Sequence, residues 1–189
     1  MIRRHTWASV LTMSVLAAAG CGGGAQETEN PESTVEATPG RTATATLRAT
    51  SGSAVSGTVT FTEEAGGVRI YAMLSGLAPG EHGFHVHENG DCSAPDASSA
   101  GGHFNPTGMD HAGPDAEARH VGDFGNIVAD QAGNASYERV DTHITLGDGP
   151  NSVIGRALVV HSEPDDLTSQ PSGNAGSRIA CGVIQAASH

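Results

Sequence analysis

After Thr42 the chain never sustains a helical period. Short runs rich in Thr, Val, Ile and Tyr recur instead, separated by Gly-Ser and Gly-Gly breaks. That pattern predicts strands in a meander. The expected strands are 44–50, 55–63, 68–75, 82–87, 126–129, 136–141, 157–161 and 181–185. Eight short strands in so compact a stretch predict an all-β domain, an antiparallel sandwich or barrel. The composition agrees: Gly occurs 26 times and aromatics make up only 4%, which suits a turn-rich β domain better than a helical bundle. Two stretches lack strand character, residues 88–120 and 162–178. Loops of that length are usually functional. No internal repeat is present.

A chain of 189 residues is long enough for one domain with a real core, plus export and linker segments. The domain is assigned to residues 43–189. The formal net charge is −12, and all nine basic residues are Arg. Such an acidic chain argues against nucleic acid as a partner and for a soluble, self-repelling molecule.

Residues 1–20 read as an export signal. Arg3 and Arg4 form a short positive region, and Trp7 to Ala19 is apolar or small throughout, too short to span a bilayer. Leu16-Ala17-Ala18-Ala19-Gly20-Cys21 resembles a bacterial lipobox, which implies cleavage before Cys21 and a lipid on its thiol. The alternative is ordinary cleavage near Ala19, leaving a free thiol. Processing before Cys21 would leave seven Arg against 21 acids, a charge of −14. Residues 21–42 carry Glu, Thr, Pro and Ser without apolar periodicity and read as a flexible tether. The expected location is therefore an envelope membrane, with the domain on its periplasmic or extracytoplasmic face. The membrane is contacted only through the lipid. Export also implies a compartment in which disulfides persist.

Eight of the ten His residues fall between positions 82 and 161. Gly83-Phe84-His85-Val86-His87 places two of them at i and i+2 of a predicted strand, so both point to one face. The long loop that follows holds His103, His111, His120 and Asp123, and Leu158-Val159-Val160-His161 is a strand ending in His. Imidazoles suit copper and zinc, and a carboxylate completing a His set suits zinc. Any one of these residues reads more simply as an incidental surface His. Six with an Asp, in a domain otherwise poor in His, do not.

The strings Gly83-Phe84-His85-Val86-His87-Glu88, Gly102-His103-Phe104-Asn105-Pro106, Arg119-His120-Val121-Gly122-Asp123 and Gly173-Asn174-Ala175-Gly176-Ser177-Arg178-Ile179-Ala180-Cys181-Gly182 resemble the signatures of copper/zinc superoxide dismutases, in that family's order. The resemblance spans about residues 43–187. It implies a Greek-key arrangement of the eight strands and dismutation of superoxide, a small anion, to dioxygen and hydrogen peroxide. It implies one copper per subunit on His85, His87, His103 and His161, and one zinc on His103, His111, His120 and Asp123. His103 is then shared by both metals and takes part in catalysis by holding a proton. Arg178 would guide and orient superoxide. Asp165 would accept from His85 and His111, Cys92 would pair with Cys181, and a homodimer is an allowed partner state.

The stretch 162–177 is shorter than in many eukaryotic members, lacks Lys, and has Pro171 where those members often carry a basic residue. Weaker electrostatic steering is the expectation. His82 reads as a hydrogen-bonded structural residue and His143 as exposed. Three rival readings stand beside the enzyme: a metal-binding buffer or chaperone-like module without turnover, a copper-only dismutase, and a structural β-sandwich. The first would be favoured by loss of a copper ligand or the Arg. The second lacks zinc ligands, and the third lacks the site altogether.

Overall fold

The computed structural model describes residues 40–188. The export signal, most of the tether and the lipidation expected at Cys21 lie outside the described residues. Strands run in the order β1 (Thr42–Ala49), β2 (Ser56–Glu64), β3 (Gly67–Ser75), β4 (Gly80–His87), β5 (Asp123–Ala129), β6 (Ala135–Asp141), β7 (Ala157–His161), β8 (Arg178–Val183) and β9 (Gln185–Ala186). Among the described residues the sole helical element is a 3₁₀ turn at Ser98–Ala100.

Neighbouring strands follow the order β2-β3-β6-β5-β4-β7-β8-β1, and β1 pairs with β2 to close the sheet into a barrel. Every pairing is antiparallel. β9 keeps the register that β8 holds against β1, so the two are one strand interrupted at Ile184. The barrel therefore has eight strands, as expected. β3 bonds to β6, and β4 to β7, so the chain crosses the barrel ends between sequential strands in the Greek-key manner.

Alternation of side chains makes the interior. Ala43, Ala45 and Leu47 of β1 point inward, as do Val59 and Phe61 of β2 and Val68, Ile70, Ala72 and Leu74 of β3. Phe84 sits at the centre, 5.8 Å from the Phe124 ring and 5.2 Å from that of Tyr137, both tilted or edge-on. Such aromatic pairs add to the stabilisation that burial alone supplies.

β4 and β7 depart from this alternation, because both of their faces are buried. Phe84, Val86, Leu158 and Val160 join the core, and the residues between them are covered from outside. The cover comes from residues 88–122 and 162–177, the two expected long loops. A third long connection, residues 142–156, did not stand out in the sequence. It sends Ile144, Leu146 and Val153 into the barrel core.

Candidate metal centre

His85 and His87 alternate with Phe84 and Val86 on β4, which puts both imidazoles on the outer face beneath the loops. His161 ends the neighbouring β7. Register slips where the ligands lie: between Gly83 and His85 against β5, and between Val160 and His161 against β8. Bulges of this kind re-aim side chains beside functional sites. Gly83 must be Gly, since a Cβ there would stand 2.7 Å from that of Ala175.

Past His85, which still pairs with Asp123, β4 loses β5 as a partner and gains the segment around His103. Phe104 N–H donates to Val86 O at 2.8 Å, Val86 N–H to Gly122 O at 2.9 Å, and Glu88 N–H to Gly102 O at 2.9 Å. This short ladder lays His103 across from His87. His120 and Asp123 close a turn, with His120 N–H donating to Asp123 Oδ2 at 3.1 Å.

The expected ligand residues converge as two groups. Ligand atoms of His85, His87, His103 and His161 lie within 4.8 Å of one another, and so do those of His103, His111, His120 and Asp123. All seven residues are buried. The His85 and His103 rings are 4.1 Å apart.

Hydrogen bonding distinguishes the two nitrogens of each ring. His85 Nε2 meets Asp165 Oδ2 at 2.7 Å, and His111 Nε2 meets Asp165 Oδ1 at 2.9 Å. His87 Nδ1 meets Gly101 O at 2.9 Å and His161 Nδ1 meets Gly176 O at 3.3 Å. A carboxylate or carbonyl only accepts, so these nitrogens carry protons, and in the neutral form of each ring the opposite nitrogen is the lone pair. His85 Nδ1, His103 Nε2, His111 Nδ1 and His120 Nδ1 are buried without a hydrogen-bond partner. His111 Nδ1 and His120 Nδ1 face Asp123 at 3.0 and 3.3 Å without the geometry of a hydrogen bond. Buried polar atoms are almost always satisfied. Four orphans aimed at two points, two of them on rings that Asp165 anchors from outside, are the donor arrangement of a metal site.

The residues present therefore fit both ions. His85 Nδ1, His87 Nε2, His103 Nε2 and His161 Nε2 could hold copper. His103 Nδ1, which lies 2.8 Å from Asp123 Oδ1, could hold zinc with His111 Nδ1, His120 Nδ1 and Asp123.

The electrostatics follow from burial. Desolvation pushes His85 down to about 4 and His161 down to about 3, and holds His87 well below the ordinary imidazole range. These rings stay neutral near pH 7, the state a metal ligand requires. Burial opposes a charge on His111 too, but the carboxylates of Asp123 and Asp165 outweigh it and raise that ring to about 9. The same histidines hold both carboxylates far below their usual range, against the cost of burial.

Arg178 opens β8 beside the cleft that His87, His103, His120, His161 and Pro171 line. Its guanidinium donates to Ala97 O and Gly101 O, each at 2.5 Å. Cys92 and Cys181 form the expected disulfide, which ties the first long loop to β8. His82 is structural as expected: its ring nitrogens lie 2.8 Å from His161 O and from Ala78 O.

His143 differs from expectation. It is half-buried, with Nδ1 3.1 Å from Arg119 Nη2 and Nε2 3.2 Å from Glu117 O. Arg119 itself is buried. It grips Asp141 Oδ2 at 2.5 Å and donates to the carbonyls of His120 and Asp123, bracing the turn that carries two of the site residues. Sequence reasoning missed this brace. Its only trace there was an Arg preceding His120, with the Asp partner 22 residues away.

The family model for copper/zinc superoxide dismutase matches residues 55–184. A solved structure described as that of the clock protein EA4 is 43% identical, with a TM-score of 0.70, covering 78% of this chain and 96% of its own. With its barrel, its shared histidine and this match over most of its length, the chain belongs to the copper/zinc superoxide dismutase family.

Proposed function

We propose that this protein dismutates superoxide at a copper ion joined through His103 to a zinc ion. The observation that carries the reading is the sharing of one buried histidine by two four-residue donor groups. Bound copper supplies one-electron chemistry: one superoxide gives up an electron and leaves as dioxygen, and a second takes that electron with two protons and leaves as hydrogen peroxide.

The chain's own residues prepare that exchange. Asp165 holds the Nε2 protons of His85 and His111, fixing which nitrogen of each ring faces inward. His103 Nε2 is buried with no protein partner beside the cleft, so its one lone pair would hold either copper or, when free of it, the proton needed for the second step. Arg178 is the only Arg or Lys after His161 and stands at the cleft rim, where its charge draws in and orients the anion. An acidic molecule repels superoxide as a whole, so the attraction is local.

The proposal extends to location. Cleavage before Cys21 and lipidation of that residue would anchor the domain outside the cytoplasm. Loss of labelled lipid from a Cys21→Ser protein, with wild-type labelling intact, supports the anchor. Equal labelling of both removes it.

The test of activity is superoxide loss catalysed by the copper- and zinc-loaded protein, compared with metal-free protein and a loaded His161→Ala variant. Fast, copper-dependent loss abolished in both controls is the expected result. A protein that takes up both metals yet acts no faster than its controls is a metal-holding module without turnover.

A further inference from the structure

The two long loops meet over the second donor group, and the contact contains a feature that the ligand set does not explain. Gln170, in the loop 162–177, places its amide against the main chain of His111, in the loop 88–122. Gln170 Oε1 accepts from His111 N–H at 2.8 Å, and Gln170 Nε2 donates to His111 O at 2.8 Å. One side chain satisfies both main-chain polar groups of a buried site residue, in the paired manner of two strands. We propose that Gln170 is a positioning residue that sets His111 for zinc from the opposite loop. The proposal rests on the zinc reading given above.

Three observations support it. First, Gln170 rises from a turn that holds itself together. Asp166 N–H donates to Gly173 O at 2.8 Å and Gly173 N–H to Ser169 O at 2.7 Å. The Asp166 carboxylate accepts from Ser169 N–H at 2.7 Å, Ser169 Oγ at 2.6 Å and Asn174 Nδ2 at 3.1 Å. The support for Gln170 is thus independent of the loop it reaches.

Second, the device is repeated next door. Asn126 on β5 pairs its amide with the main chain of Asp165, accepting from Asp165 N–H at 2.7 Å and donating to Asp165 O at 2.9 Å. Asp165 in turn holds the His111 ring. The His111 ring is thus fixed by Asp165, and its main chain by Gln170. A ring fixed at both ends keeps Nδ1 aimed at Asp123, 3.0 Å away.

Third, the segment needs an external tether. Neighbouring Gly108, Met109 and Asp110 are exposed, and His111 belongs to no strand or helix. A donor carried on such a segment loses conformational freedom when it binds an ion. Ordering it beforehand reduces that cost, which is the general advantage of preorganisation.

The experiment is zinc competition against a chromophoric chelator, with the spectrum of cobalt(II) as a second readout, on the full mature chain and its Gln170→Ala and Gln170→Glu variants. Outer groups that orient ligands typically change metal affinity by about 10–100-fold. Gln170→Ala should lose zinc affinity by about that factor and alter the cobalt absorption, with copper uptake unchanged. Gln170→Glu keeps an acceptor for His111 N–H but lacks the donor for His111 O, so its loss should be smaller. Zinc affinity within twofold of wild type in Gln170→Ala overturns the proposal.

Amide hydrogen exchange on the wild-type protein gives a measure free of folding defects. His111 N–H should be protected relative to the amide of exposed Asp110, and exchange as fast as that overturns the tether. A wild-type chain that takes up no zinc, or a His120→Ala variant that retains it fully, sinks the zinc reading itself. That result is distinct from a failure confined to Gln170.

Discussion

Arg178 donates to the carbonyl of Gly101 at 2.5 Å, and that same oxygen meets Nδ1 of His87 at 2.9 Å. The residue expected to receive the anion is thereby coupled to an imidazole of the donor group His85, His87, His103 and His161 through one main-chain atom. A guanidinium with two such carbonyls keeps three further donors for a ligand. Replacing Arg178 by Lys keeps the charge but not the fork, so it cannot hold Ala97 O and Gly101 O together. Arg178→Lys should lower the second-order rate of dismutation several-fold. Arg178→Ala should lower it by about tenfold or more and flatten its dependence on ionic strength. Stopped-flow measurement at two salt concentrations checks both. Rates that match wild type at low salt remove Arg178 from the reaction.

Asp165 serves two rings with its two oxygens. In Asp165→Asn one oxygen becomes an NH₂ group, which presents a donor to a nitrogen that is itself a donor. One ring must then turn or change tautomer. Metal affinity should fall about 10–100-fold on the affected side. Separate titrations with copper and zinc identify which ring gives way. Unchanged affinity for both would show that Asp165 is dispensable to ligand orientation.

Acid should destabilise the metal-free protein well above the range of ordinary carboxylates. His85 and His161 are lowered in the fold, to about 4 and about 3, from an ordinary 6.5. Between pH 6.5 and 4 the unfolded chain takes up protons that the folded chain refuses, so stability falls as pH falls. For His85 alone the loss approaches ~3 kcal/mol. His111 acts oppositely. Raised to about 9, it stabilises the fold fully below 6.5 and loses that contribution as pH rises through 9. Asp123 and Asp165, both lowered, withdraw their contribution only at still lower pH. Urea unfolding of metal-free protein should therefore show greatest stability near pH 6.5–7, declining on both sides. A flat profile from pH 4 to 9 would mean that these rings titrate as if exposed.

Much of this molecule is readable before folding because its strands follow a period of two. The run from Val68 to Ser75 alternates buried and exposed residues and pairs in uninterrupted register with both neighbours. Strand starts were less legible where ligands intrude. β5 begins at Asp123, three residues before its apolar pattern declares itself, because a buried carboxylate serving His103 occupies that position. Residues 142–156 hid as a loop, since Ile144, Leu146 and Val153 are core residues without strand pairing of their own. The site residues were legible as motifs, and so was Asp165, which orients His85 and His111, but the other groups that orient them were not. Gly101 and Gly176 act through main-chain carbonyls, which no side-chain pattern encodes. Gln170 reaches His111 across 59 residues of sequence, and only the folded loops bring them together.

The Cys92–Cys181 bond closes a separation of 89 residues and fastens the loop that carries Ala97, Ala100 and Gly101 onto β8. Both cysteines pack with Ala97, Ala100, Ala157 and Val159, a small apolar cluster separate from the barrel core. Restricting so long a loop in the unfolded chain stabilises the fold by roughly 4–5 kcal/mol in the chain-entropy model. The satellite cluster is too small to replace that contribution. Cys92→Ser with Cys181→Ser should therefore lower the unfolding free energy of the metal-free protein by about 4 kcal/mol. Local effects should follow the loop: protection of the Gly101 and Ala100 amides should fall, since their partners Ser98 O and Ala97 O lie on the released segment. Protection in β2 and β3, on the far side of the barrel, should persist at pH 7. Denaturant unfolding and residue-resolved exchange on the double variant measure the two together. Loss of protection across the whole barrel would show that the disulfide supports the entire fold and does more than hold down one loop.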